Sequence, residues 1–307
     1  MEKTISIVSA IDNNYAQHYG VMLVSLFENK RLDTNIELYL IHNILSKKNK
    51  KKIRLIVSKY KSKINFIQIN PDKFKDCHVD NYVTVATYYR LSLESLIPKD
   101  IDKIIYLDSD ILVLDDLIDL WNINITNYSV GAIPDTLDYD ANHKKILEIP
   151  ESATYFNVGV MLINLNKWRE SNIEINAFQY IKNHKNIRFR DQDILNILLH
   201  DKCILLPPAF NAMVFSPNTA WYKEQKKVYI VHFICANKPW LLWSKHPFKK
   251  RYYFYLRKTP WKLYIPRKFY IYPDITYTNI KYSFLNKYPK IFNILRYAKK
   301  PFKLFKA

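Results

Sequence analysis

Apolar residues fall in short blocks separated by polar punctuation. Residues 5–10 (ISIVSA) form a β-rich run that ends at Asp12, Asn13 and Asn14. The pattern becomes helical over 17–28, and residues 36–41 (IELYLI) read as a second strand. A lysine-rich stretch over 46–63 keeps Ile53, Leu55, Ile56 and Tyr60 apolar, which predicts a surface helix capped by Ser46. Residues 64–69 (INFIQI) give a third strand, 87–96 a helix that stops before Pro98, and 104–107 (IIYL) a fourth strand. Further apolar runs lie at 130–133, 158–163 and 228–231, with helical patterns at 175–183 and 191–199. Strands alternating with helices predict an α/β fold, a mainly parallel central sheet covered on both faces. In such sheets ligands collect beyond the carboxyl ends of the strands. The polar residues just after each strand are therefore the first candidates for function.

Composition narrows those candidates. Of 307 residues only three are glycine, Gly20, Gly131 and Gly159, so the glycine-rich phosphate loops of nucleotide-binding proteins are excluded. A nucleotide would have to be held another way, most simply across a metal ion. The three cysteines, Cys77, Cys203 and Cys235, are too scattered for a disulfide framework and fit a reducing compartment. The N-terminal apolar run is too short for a secretory signal, and no stretch is long and apolar enough to span a membrane. The net charge of +19 is unevenly spread. Residues 245–307 carry 17 basic and one acidic residue, together with 18 of the 46 aromatics, and six prolines cut them into short pieces. The first 244 residues hold 30 basic and 27 acidic residues. This places a boundary near 244, between a nearly neutral body (1–244) and a basic, aromatic C-terminal region (245–307).

Three polar sites follow strands: Asp12 and Asn14, Asp108 and Asp110, and His232. Two carboxylates at 108 and 110 can face one cation only if the backbone turns out of the strand. Oxygen ligands favour Mg or Mn, and the imidazole of His232 tilts the choice to Mn. A haloacid-dehalogenase phosphatase also uses an Asp-x-Asp pair, but requires Thr or Val where this chain has Leu112.

Four segments decide the reading: YLDSDILVLDDLIDLW, YFNVGVMLINLNKW, RFRDQDILN and VHFICANKPW. In this order, and with the opening SAIDNNYAQHYGV, they resemble glycosyltransferase family 8, in particular its lipopolysaccharide α-galactosyl- and α-glucosyltransferases. The resemblance runs from about residue 5 to residue 240. It implies a GT-A fold, a Rossmann-like nucleotide-binding α/β sandwich, and transfer of hexose from UDP-galactose or UDP-glucose with retention of configuration. By position it implies Asp108, Asp110 and His232 as ligands of Mn or Mg. Ala10, Asp12 and Asn14 would contact uridine and ribose, and Tyr15 would stack on uracil. Ser109 falls among the donor-binding positions, and Lys238 would reach the diphosphate. Arg90, Asp135, Asn157, Asp191 and Gln192 would recognise the donor sugar, with Asp191 and Gln192 nearest the chemistry. Because Gln192 is a poor nucleophile, a front-face route is expected, in which the departing phosphate accepts the acceptor's proton.

The chain departs from the family pattern at Cys235, which stands where the motif has glycine. Residues between 133 and 157, including Asp138, Tyr139, Asp140, Asn142 and His143, are the expected acceptor loop, with His143 an acceptor contact or plain surface. Asp193 is expected to cap the following helix. For the C-terminal region, a lipid-linked oligosaccharide acceptor selects attachment to an anionic membrane surface over a plain solvated end or nucleic-acid binding. Such an enzyme would work in the cytoplasm, peripherally on the inner face of the bacterial membrane. The alternatives are a same-fold transferase acting on protein or polysaccharide, and a nonenzymatic basic binding protein.

Overall fold

The computed structural model describes residues 3–78, 84–135, 141–184, 187–213, 227–234 and 237–264. Cys235, Asp138, Tyr139, Asp140, the side chain of Asn142 and the tail from 265 onward lie outside the described residues.

Ten strands and nine α-helices are present among the described residues. The strands are β1 (Lys3–Ala10), β2 (Thr34–His42), β3 (Lys63–Gln68), β4 (Lys103–Leu107), β5 (Ile111–Val113), β6 (Val130–Pro134), β7 (Phe156–Asn164), β8 (Cys203–Leu205), β9 (Ala212–Met213) and β10 (Ile230–His232). The helices are α1 (Ala16–Asn29), α2 (Lys47–Lys59), α3 (Leu93–Leu96), α4 (Ile118–Trp121), α5 (Ala141–Ile146), α6 (Leu165–Glu170), α7 (Ile173–Asn183), α8 (Asp191–Leu199) and α9 (Lys249–Leu256). Ser46 caps α2 as its position predicts, its hydroxyl accepting from Asn49 N at 3.2 Å. The helix expected over 87–96 is instead a 3-10 stretch, Val85–Ser92, that passes into α3. Tertiary packing overrides propensity here: Tyr88, Tyr89, Arg90 and Leu91 are all buried, so the stretch is enclosed on every side of its three-residue turn.

The main sheet runs β3-β2-β1-β4-β7-β6-β8. It is mainly parallel, with β7 alone reversed against its neighbours β4 and β6. Strand alternation divides the core. Val8, Ala10, Ile104, Tyr106, Met161 and Ile163 share one buried cluster with Tyr88, Leu91, Trp168 and Ile194. The intervening Ile7, Ile105 and Leu107 are equally buried. Helix α1 is buried at every position from Ala16 to Phe27, so it lies inside the protein rather than on it.

What covers α1 includes the C-terminal region. Helix α9 packs on it: the Asn29 amide donates to the Tyr255 hydroxyl at 2.8 Å, and Lys258 pairs with Glu28. A Cβ on Gly20 would lie 2.6 Å from the Trp261 ring, so the glycine leaves space for that indole. The compact unit accordingly runs to Tyr264, twenty residues beyond the change in sequence texture at 244. Of the aromatics of 249–264 that mark this change, Tyr252 and Tyr255 are buried, while Lys250, Arg251, Arg257, Lys258 and Lys262 around them are exposed.

A smaller sheet, β5-β10-β9, sits after β4. Asp108 thus ends a strand of the large sheet, Asp110 begins a strand of the small one, and Ser109 joins them.

On the other side of the main sheet, Asn196 ties α8 to β7. Its side chain accepts from Phe156 N at 2.8 Å and donates to the carbonyls of Phe156 and Gln192, each at 2.9 Å. Replacing it by alanine strands a buried amide, and Asn196→Ala is expected to lower stability by about 2–3 kcal/mol in urea unfolding.

Candidate active site

The Asp108-Ser109-Asp110 turn is held by backbone from both sheets. Asp108 N donates to Gly159 O at 2.8 Å, and Phe233 N donates to Asp110 O at 2.9 Å. Antiparallel pairing sets His232 opposite Ile111, so the imidazole comes up beside the Asp110 carboxylate. His232 Nε2 is 3.5 Å from Asp110 Oδ1 and 3.8 Å from Asp108 Oδ2. One ligand atom from each of the three residues lies within 4.8 Å of the others.

The donor set fits a divalent cation for a further reason. Asn211 donates its amide to Asn157 Oδ1 at 2.9 Å, which turns its own Oδ1 toward His232 Nδ1 at 3.0 Å. His232 Nδ1 then carries a proton, and Nε2 is the ring nitrogen that faces the two carboxylates. That is the orientation a metal-binding histidine needs, with a neighbour fixing the tautomer. Asn211 was not legible in the sequence, because it lies before a two-residue strand with no motif around it.

Two buried cations, Arg90 and Lys238, face the carboxylate pair. Arg90 is buried and reaches Asp108 Oδ1 at 2.7 Å through NH2, while NH1 donates to Val158 O at 2.6 Å. Its Nε is 2.9 Å from Asp191 Oδ2 but directs its proton to Thr87 O. Lys238 Nζ donates to Asp110 Oδ2 at 2.6 Å and to Phe233 O. The two carboxylates therefore differ. Burial raises Asp108 and Asp110 adds to the rise, with Arg90 opposing. Burial would also raise Asp110, but Lys238 and His232 overcome it and hold this carboxyl well below the usual range. Asp191 is pushed up to about 7, chiefly by burial, with Arg90 opposing and Asp108 adding.

Gly159 faces this cluster from β7. A Cβ there would stand 2.3 Å from His232 Cε1 and 2.7 Å from Asp108 Oδ2. The requirement is for space, not for an unusual backbone angle.

The sugar-side residues form one connected network. Asn157 Nδ2 donates to Asp135 Oδ2 and to Gln192 Oε1, both at 3.1 Å. Gln192 Nε2 donates to Asp135 Oδ2 at 3.1 Å. Arg190, just before α8, holds φ at 53°, a strained value for a side chain other than glycine. After it, Asp191, Gln192 and Asp193 each reach a different partner. Asp193, expected to cap this helix, is its third residue, while Arg190 is the N-cap: Asp193 Oδ1 accepts from Tyr155 OH at 2.6 Å and lies 2.9 Å from His143 Nε2, and Oδ2 accepts from Phe189 N at 2.7 Å. His143 is thereby buried, not on the surface as its loop position implies.

The uridine-side residues border an open cleft of about 420 Å³. Asp12 and Asn14 line it, with Asn43, Ile44, Ser46, Thr84 and Tyr89. Asp12 Oδ1 accepts from Asn14 N and Tyr15 N at 2.8 and 3.0 Å, fixing the turn after β1. Ala10 and Ser109 are buried; Tyr15 is half-buried and stands edge-on to Trp240.

An α/β sheet with a carboxylate pair at the junction of two sheets and an open cleft beyond β1 defines a transferase of the GT-A fold. The model of glycosyl transferase family 8 matches residues 6–244, and the chain belongs to that family. General stress protein A of Bacillus subtilis (strain 168) is 32% identical over 275 residues, spanning 85% of this chain and 96% of that protein. The lipopolysaccharide 1,2-glucosyltransferase of Escherichia coli (strain K12) is 26% identical over 273 residues, spanning 86% and 80%. Among solved structures, galactosyltransferase LgtC in complex with donor and acceptor sugar analogs matches at a TM-score of 0.75 and 27% identity, over 86% of this chain and 98% of that one. The protein is thus an enzyme that moves a sugar from a donor to an acceptor.

Gly159→Ala is expected to lower glycosyl transfer at least about 100-fold with the circular dichroism spectrum retained, since His232 and Asp108 must both move. Gly131→Ala, whose Cβ would meet Leu206 methyls at 3.1 and 3.2 Å, is expected to stay within about threefold in the same transfer assay.

Proposed function

We propose that this enzyme transfers galactose or glucose from the UDP-hexose to a lipopolysaccharide or lipooligosaccharide acceptor, with retention and with a divalent cation, Mn or Mg. The observation that carries the reading is the Asp108–Asp110–His232 cluster with an oriented His232 Nε2, set between the Asp12–Asn14 cleft and the Arg90–Asp191–Gln192 network. The activities for which the relatives are named, a glucosyltransferase and a galactosyltransferase, support both donors.

Asp108, Asp110 and His232 would hold the cation, which when bound neutralises the diphosphate as charge grows on the leaving group. Lys238, already beside Asp110, supplies a second positive charge at the same place. Asp12, Asn14 and Tyr15 bind the nucleoside side, with Ala10 and Ser109 shaping the turns beneath it. Asp135, Asn157 and Asp191 bind and orient the sugar, and Arg90 keeps Asp191 in place.

A front-face route is supported by what occupies 191–193. Asp191 is buried beside Arg90, Asp193 is consumed by His143 and Tyr155, and Gln192 is an amide whose two ends are both bonded. The middle position of the triplet is thus an amide, a poor nucleophile for the double displacement that a carboxylate there would serve. Gln192 Oε1 faces the ring side as a weak base that steadies developing positive charge.

UDP release from UDP-galactose or UDP-glucose, measured with Mn, with Mg and with EDTA, is expected to require the metal; its absence in all three conditions would favour a binding protein. Asp110→Ala is expected to abolish release, by about 1000-fold or more. Gln192→Ala should retain release at about 1–10% of wild type; loss as complete as for Asp110→Ala would overturn its passive role.

The acceptor side of this reading places the enzyme at the cytoplasmic face of a membrane. No helix among the described residues is long and apolar enough to cross one. Besides the basic C-terminal region, residues 38–71 carry nine lysines and arginines and no acid, seven of them on α2. Trp261 packs against α2 as well as α1, with Lys52 Nζ 4.7 Å from its ring centre, so these two basic segments are contiguous. Each basic residue near an anionic leaflet contributes about 1 kcal/mol. Deleting residues after Lys268 is expected to cut partitioning onto phosphatidylglycerol vesicles at least about tenfold at low salt, with UDP-sugar hydrolysis unchanged. Equal binding to single-stranded nucleic acid and to vesicles would point to a general polyanion surface instead.

A further inference from the structure

A buried aromatic group joins the segments that carry Tyr15 and Lys238 to α9. His18, on the first turn of α1, stacks on Trp240 with ring centres 3.7 Å apart and planes 23° from parallel. Its Nδ1 is 2.7 Å from the Tyr252 hydroxyl of α9, and Gln17 Nε2 approaches the same oxygen at 3.5 Å. The hydroxyl oxygen also accepts from Gln17. Burial pulls the His18 ring down to about 3, so the imidazole that shares this bond is neutral. Tyr15 meets both His18 and Trp240 edge-on, and Phe233 meets both Trp240 and Tyr252 edge-on. His18, Phe233, Trp240 and Tyr252 are all buried.

Three members of this aromatic group adjoin donor-site residues. Tyr15 follows the Asp12 turn. Phe233 follows His232, donates its N–H to Asp110 O, and its carbonyl accepts from Lys238. Trp240 lies two residues after Lys238, and Leu241 N closes a turn onto Lys238 O at 3.1 Å. Tyr252 belongs to the basic C-terminal region that sequence texture separates from the catalytic body.

We infer that α9 is a structural part of the donor site: Tyr252, through His18 and Trp240, is a positioning residue that sets Lys238 and Tyr15 for the nucleoside diphosphate. Single hydrogen bonds between buried partners are worth enough to matter here, and loss of the Tyr252–His18 bond frees the stack on Trp240, two residues from Lys238. The groups so placed bind the diphosphate in the ground state as well as during transfer. Their displacement therefore weakens donor binding more than it slows the chemical step.

This inference rests on the UDP-hexose reading, and α9 supplies its own control. Tyr255, one turn on, also bonds α1 through its hydroxyl, to the Asn29 amide, but makes no contact with the aromatic group. In the full-length protein, Tyr252→Phe is expected to raise the UDP-hexose KM about five- to tenfold with kcat within about threefold, while Tyr255→Phe leaves both within about twofold. His18→Phe, which keeps a stacking ring, should match Tyr252→Phe, and the double variant should be no worse than either single one. In 5-fluorotryptophan-labelled protein without donor, the Trp240 resonance, assigned with Trp240→Phe, should shift in Tyr252→Phe and not in Tyr255→Phe. Equal effects of the two tyrosine variants, or a Tyr252→Phe loss confined to kcat, would overturn the inference. Should the wild type turn over no UDP-hexose, the donor reading falls, and the fluorine spectrum alone then decides whether Tyr252 positions Trp240.

Discussion

Two carboxylates, two residues apart, are brought to the junction of two sheets, and the rest of the site is arranged by the need to compensate them. Burying a charge without a partner costs several kcal/mol, and breaking a buried ion pair costs about 3–5 kcal/mol. Arg90 answers Asp108, Lys238 answers Asp110, and His232 stands between the two. Each partner comes from a different part of the chain: a 3-10 stretch, a loop after the last strand, and the end of that strand. The demand for compensation is thus also what draws the 3-10 stretch and the end of β10 to the Asp108–Asp110 turn.

The same demand divides the site into halves with different character. On the Asp110 side, compensation is by a lysine and an imidazole, groups suited to sharing a carboxylate with a cation and a diphosphate. On the Asp108 side it is by a rigid guanidinium that also spans to Val158 and Asp191, so that half is a fixed scaffold for the sugar. Gly159 sits where the halves meet, and the absence of a side chain there lets His232 and Asp108 approach. A chain with three glycines has placed one of them at this contact and another, Gly20, under Trp261.

Much of the site was readable along the chain because a nucleotide-sugar site is built from strand ends, and strand ends are visible as apolar runs that stop at polar residues. The runs over β1, β4 and β7, and the Asp-Gln-Asp start of α8, all fall where the pattern puts them. What was not readable depends on partners distant in sequence. The winding of 85–92 as a 3-10 helix follows from burial of Tyr88 to Leu91. The burial of His143 follows from Asp193, fifty residues away. Asn211 orients His232 from a position with no motif at all.

The sequence by itself determined the family, the alternation of strands and helices, and the residue types able to hold a cation and a diphosphate, because these depend on local order and on chemistry carried within short motifs. Only the tertiary structure decided which residues compensate which charge and which side of His232 carries its proton. It also placed the C-terminal boundary of the compact unit, since Tyr252, Tyr255 and Trp261 are basic-region aromatics by sequence and core residues by contact. The physical reason is the same in each case: pairing of buried polar groups is set by distance in space, and the chain records only distance along itself.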